Sequence, residues 1–230
     1  MKKMRMSKRV KNVVFVASSI GIITLGSAVA YFTDADTATN TFTVGKVSLD
    51  LQEPDWNPDS GKNLTPGKEL KKNPQILNDG VNDEFVFMEV RVPYRKIVTA
   101  NADGTKNPAA DTELFHYKVN DGWQKLSSSK DEAAQTINYI YVYGSSDSCQ
   151  ALPKEEATPA LFDTVTFVNL VEGQNLENVD LQILINAYGI QTTDIASGST
   201  SPETVWDTVK SQAPSVDVEV EEDANTDIKK

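Results

Sequence analysis

Apolar residues at every second position most narrow what this chain can fold into. Val179, Leu181, Ile183, Ile185 and Ala187 fall at that spacing, which lines one face of an extended strand and scatters around a helix. They mark a central strand of the core over 179–188. Val86, Met88, Val90 and Val92 repeat the pattern, with Glu89 and Arg91 on the opposite side. That stretch reads as a strand with one wet face, which Pro93 ends or marks as an edge. Ile137 to Tyr143 is richest in β-branched and aromatic residues. Its Tyr139, Tyr141 and Tyr143 share a face, as a half-buried sheet surface or as a platform for carbohydrate or peptide, the first being the commoner use.

The segments between these runs carry turn chemistry. Residues 53–68 hold three prolines and two glycines, a loop in which Trp56 covers one edge of the sandwich. Residues 100–113 read as a second polar loop. Phe115–Val119, Asn120-Asp121-Gly122 and Trp123–Leu126 read as strand, turn and strand, a hairpin. Phe162–Val168 adds a further strand. Ser201-Pro202-Glu203 is a helix start, with a capping serine, proline at the first helical position and an acid in the first turn; Val205, Trp206 and Val209 then dock one short helix. Val216, Val218 and Val220 alternate within an acidic carboxyl-terminal stretch read as a solvated tail. Many strands and one helix predict an all-β sandwich. Periodicity leaves jelly-roll and immunoglobulin-like wiring open.

The first thirty residues are of another kind. Six basic residues from Lys2 to Lys11 precede 18 uncharged residues, Val13–Ala30, that close on Ala28-Val29-Ala30. About 18 helical residues at 1.5 Å each also reach across a hydrocarbon core of about 30 Å. The interspersed small and polar residues and the terminal Ala-Val-Ala favour a signal peptide cleaved between Ala30 and Tyr31, with the membrane met only during export. All six of those cations and none of the 33 acidic residues lie before Tyr31, so the chain from Tyr31 carries a net charge of −17. Such a surface repels nucleic acid and anionic lipid. Cys149 is the only cysteine, which excludes an intramolecular disulfide and a cysteine zinc cluster; the serines beside it suggest an incidental loop residue.

From Tyr31 to Leu51 the extended chain spans on the order of 70 Å at about 3.3 Å per residue, against a diameter of roughly 40 Å for a domain of this size. The arm is long enough to leave its own domain. Phe42 and Val44, then Val47, Leu49 and Leu51, alternate with polar neighbours, and Gly45-Lys46 shifts the phase as a bulge would. Phe42–Leu51 reads first as an ordinary strand of its own sheet and second as a subunit-pairing strand. Tyr31–Asn40 reads as an arm without an assigned partner.

Tyr31-Phe32-Thr33-Asp34 and the run Phe42 to Leu51 resemble the start of exported proteins of the TasA and camelysin family. Asn63–Lys68, Asn78–Val92 and Ile185–Gln191 extend the resemblance along most of the chain from Tyr31. It implies processing by a SipW-type signal peptidase and a secreted jelly-roll sandwich. In the fibre-forming members it further implies polymerisation into extracellular matrix filaments, with the segment after the cleavage site pairing to the neighbouring subunit. The partner is then this chain itself or a related matrix protein.

Some relatives carry a metallopeptidase label. A helical zinc-peptidase site needs two histidines four apart with a glutamate between them, and His116 is the only histidine here. A serine triad or cysteine dyad would need the same residue. No catalytic residue, metal site or cofactor is assigned. Asp34-Ala35-Asp36 and Glu221-Glu222-Asp223 offer the oxygen donors that calcium takes and would hold it at most weakly, since neither has the spacing of a known calcium loop. The chain divides into a signal peptide (1–30), an arm with the first strand (31–52), a β-sandwich domain (53–213) and an acidic tail (214–230). It reads as an exported structural subunit or accessory component of biofilm-matrix fibres; the alternatives are a monomeric secreted binding module and, more remotely, a camelysin-like peptidase.

Overall fold

The structure is a computed structural model that describes residues 33–37, 40–42, 47–62, 64–174, 176, 179 and 181–212. The signal peptide with Ala28, Ala30 and Tyr31, the Gly45-Lys46 bulge with Val44, and the tail with its valine alternation and Glu221–Asp223 lie outside the described residues. The backbone of Phe42 lies within them.

Thirteen strands and one α-helix are described, and every strand pairing is antiparallel. The principal sheet runs β2 (Asn40–Phe42), β1 (Thr33–Thr37), β13 (Leu184–Gln191), β6 (Glu84–Ile97), β10 (Thr136–Tyr143), β9 (Trp123–Asp131). On β6 it also carries β7 (Ala110–Glu113) and β11 (Ala151–Leu152). A second sheet orders β4 (Glu69–Lys71), β12 (Thr164–Phe167) and β8 (Phe115–Tyr117), and a third pairs β3 (Leu49–Gln52) with β5 (Gln75–Asn78). The helix α1 spans Pro202–Gln212. The protein is thus an all-β sandwich with one short helix among the described residues.

The centre of the fold is β6, and it corrects the expectation of a wet face. Val86, Met88, Val90 and Val92 enter one core with Leu49, Ile76, Phe162 and Ile185. On the other face Phe85 and Phe87 enter a second core with Val142, Ile195, Val205 and Val209. Trp206 of α1 lies 5.1 Å from the Phe87 ring. Two buried faces explain why the strand is apolar almost throughout; Glu89 and Arg91, which look solvated in the sequence, satisfy each other.

Nor does Pro93 end the strand. Tyr94 N–H donates to Gln135 on one side and Leu114 N–H donates to Pro93 C=O on the other. The missing N–H of Pro93 therefore falls where β13, ending opposite Arg91, gives way to β7, starting opposite Tyr94. No ladder bond is lost there.

Three other expectations change. The loop 100–113 ends as strand β7, held by β6. Gly122, at φ +91°, makes the expected turn, but no hairpin follows: β8 pairs with β12 in the second sheet and β9 with β10 in the principal one. The turn crosses between layers. The strand expected over 179–188 runs over Leu184–Gln191, and Val179 is 41% exposed. Trp56 packs against the first core as expected, with Lys72 Nζ 4.8 Å from its ring centre.

Candidate functional site

The amino-terminal arm finds a partner in its own chain. β1 pairs with β13 from Thr33 opposite Ile190 to Thr37 opposite Asn186, and β2 folds back on β1 with Phe42 opposite Ala35. The other side of β13 is filled along its length by β6, from Leu184 opposite Arg91 to Gln191 opposite Glu84. Among the described residues, one edge of β13 thus belongs to the core and the other to the arm alone. Without β1, that edge would present a row of unpaired N–H and C=O groups.

The acceptor strand is held from both faces. On one, Glu89 accepts from Asn186 Nδ2 at 2.8 Å and from the Tyr188 hydroxyl at 3.0 Å, while Arg91 donates to both of its carboxylate oxygens at 3.0 and 3.2 Å. Burial first, and then the Glu89 carboxylate, push the Tyr188 phenol well above its ordinary value, so it remains a donor. Trp206 meets the Tyr188 ring edge-on at 5.3 Å. On the other face Gly189 leaves bare backbone, and the Leu49 side chain lies over it. Ser48 N–H reaches Glu84 Oε1 at 3.3 Å.

Of the expected pairing residues, Val47 and Leu49 are buried in their own domain and Leu51 is half-buried against the first core. Leu49 and Leu51 lie on β3 opposite Asn78 and Ile76 of β5. This is the ordinary-strand reading of that stretch. β3 also lies against both β1 and β13, so the two halves of the arm meet around one acceptor strand. Two contributors escaped sequence reading. Glu89 looked solvated; Gly189, a glycine inside an apolar alternation, is the usual mark of a close approach.

The other singled-out residues lie elsewhere. His116 is exposed on β8, opposite Thr166. Among the described residues no group of three or more His, Cys, Asp or Glu side chains is placed to hold a metal ion. Cys149 lies in the connection between β10 and β11, bridged to Gly144, but its side chain is buried in the second core, and burial pushes its thiol up to about 12. Tyr139, Tyr141 and Tyr143 face the interior between the two larger sheets, with Tyr139 and Tyr141 opposite Val90 and Met88 of β6.

Fold and site together define an antiparallel β-sandwich whose first strand closes the edge of an otherwise complete sheet. A family model described as camelysin metallo-endopeptidase matches residues 5–114. Residues 5–114, just under half of the chain, thus match the camelysin family, which is related to TasA. No curated protein and no solved structure matches the chain. The family match takes in the arm and β6, whereas β13 and α1 lie beyond it.

Proposed function

We propose that the protein is an exported structural subunit, or an accessory component, of extracellular matrix fibres that assemble by strand addition. In this reading a SipW-type peptidase cuts after Ala30, and β1 then leaves its own β13 to pair with β13 of the next copy or of a related matrix protein. The observation that carries it is the edge of β13 that, among the described residues, only the arm covers. Exchange replaces one set of backbone hydrogen bonds by an equivalent set, so its net cost in pairing is small. The contact is heterologous, with donor strand on one copy and acceptor edge on the next, and contacts of this type build open filaments when the rotation does not close. The Glu89 cluster and α1 keep β13 on β6 while its outer partner changes.

The peptidase label of the family calls for a donor set that one histidine does not supply, and this reading gives His116 no catalytic role. Electron microscopy and light scattering on the secreted protein, with and without residues 31–40, test the proposal. Filaments are expected only with the arm, while both forms keep the β-rich circular dichroism of the domain. Filaments that persist in the deletion would sink strand addition by this arm. Bound zinc, with hydrolysis lost on His116→Ala, would restore the peptidase reading.

A further inference from the structure

Tyr139 and Tyr141 of β10 border a pocket of about 180 Å³ where the space between the principal and second sheets opens to solvent. Its walls are aromatic. Tyr139 and Tyr141 lie 6.2 Å apart, and Tyr117, from β8 in the opposite sheet, meets Tyr141 at 6.3 Å and 63°. Glu113 and Lys125 also line it, with Lys125 Nζ 5.5 Å from the centre of the Tyr139 ring.

Hydrogen-bond accounting leaves several of these groups with capacity to spare. Tyr139 donates to Glu113 Oε1, and among the described residues no donor reaches Glu113 Oε2. The Tyr117 and Tyr141 hydroxyls share one bond of 3.0 Å. The pair has two protons and uses one between its members, so the other is offered outward. Burial pushes all three phenols above their ordinary value, which keeps them donors. Lys125 has no ion-pair partner among the described residues. The pocket therefore presents the Tyr139 ring, the His116 imidazole, one phenolic donor, one ammonium donor and one carboxylate oxygen.

Size and polarity select the ligand. A cavity of about 150 Å³ takes a benzene ring, and drug-sized ligands need roughly 300 Å³ or more; the occupant is a single six-membered ring whose substituents reach the open mouth. An apolar ring would strip water from Glu113 and Lys125 and return nothing. A ring with hydroxyls around its rim and C–H groups on its face answers every group present. We propose that this pocket binds one pyranose unit of a carbohydrate, with its face on the partly exposed Tyr139 and its hydroxyls on Glu113, Lys125 and the Tyr117–Tyr141 pair. The site is independent of polymerisation. Apart from Glu113, the residues assigned to hold the sugar lie beyond the family match.

Saturation-transfer NMR and calorimetry on the intact chain test this with glucose, galactose and N-acetylglucosamine, and with phenol and phenylalanine as comparison rings. At least one pyranose is expected to bind in the millimolar range. Glu113→Gln and Tyr139→Phe, which keep size and ring, should each weaken it by about tenfold, the loss typical of one hydrogen bond to a charged group. Ser127→Ala, on β9 outside the pocket, should leave it unchanged. A trimer that binds more tightly than its monomer supports an internal polysaccharide unit, and equal affinity supports a free or terminal sugar. The proposal is overturned if no pyranose binds at tens of millimolar, if only phenol or phenylalanine binds, or if sugar binding survives both variants in a chain with native circular dichroism.

Discussion

Leu49 occupies the space that a side chain at Gly189 would need: a Cβ at position 189 would lie 2.7 Å from Leu49 Cδ1 and 3.1 Å from its Cγ, with Glu84 Oε2 at 3.0 Å on another side. Leu49 is fully buried, so it has no room to retreat. The two residues lock β3 onto β13 at one register. Gly189→Ala is expected to cost about 1–3 kcal/mol, the usual range for overpacking a filled core. Leu49→Ala leaves a cavity and costs about 2–5 kcal/mol. The double variant should cost less than the sum, with a coupling of about 0.5–3 kcal/mol. Urea melts of the four proteins check this, and strict additivity would mean that the two residues do not share the space.

Glu89 is the polar counterpart of that lock. Its carboxylate accepts from Arg91, Asn186 and Tyr188, and its side chain is mostly buried while that of Arg91 is about one-third exposed. Glu89→Ala removes the acceptor from three donors. The partly exposed guanidinium regains water but the buried partners do not, so the expected loss is about 2–4 kcal/mol, below that of a fully buried pair. Glu89→Gln keeps one acceptor oxygen and should lose less. Denaturant midpoints that rank Gln below Ala would contradict this geometry.

What the sequence could carry was local. The alternation over Ile137–Tyr143 and the cap at Ser201-Pro202-Glu203 are each written in a few neighbouring residues, and both elements stand where expected. Layer assignment is not local: the turn at Gly122 is legible, but whether β8 and β9 pair depends on β12 and β10, from distant parts of the chain. The partner of the arm is harder still, because β1 meets β13 about 150 residues later and any strand with a free edge could serve. The second buried face of β6 was hidden for a similar reason. Glu89 and Arg91 have the look of a solvated surface until α1, more than 100 residues away, is seen to cover Phe87.

Alkaline pH should unfold the protein in a defined window. Burial raises the Cys149 thiol from 9.0 to about 12 and raises the phenols of Tyr117, Tyr139, Tyr141 and Tyr188 from 10.0. Groups with raised values hold their protons more tightly in the folded state, so their stabilisation is complete below the unfolded values and is lost as pH rises through them. The urea midpoint is expected to stay level up to about pH 9, the ordinary thiol value, and then to fall. Cys149→Ala should flatten the first part of the fall, and Tyr117→Phe the later part. A midpoint that stays level well above the ordinary phenol value would contradict this burial.

Cys149 also reports on the docking of α1. It packs with Phe85, Phe87, Val142, Val205 and Val209, and its N–H donates to Thr200 C=O at 2.8 Å, just ahead of the helix. A buried thiol with a raised pKa is a poor nucleophile, so a thiol reagent must wait until the helix opens. Trp206 holds that helix through Phe87 and Tyr188. Trp206→Ala should weaken the docking by about 2–3 kcal/mol, short of the range of about 3–5 kcal/mol for a fully buried aromatic because this ring is only partly buried. If opening is local, labelling of Cys149 should then accelerate by at least about tenfold in the absence of denaturant. The same rate in both proteins would mean that Trp206 does not hold the helix closed, and that the thiol is reached by another route.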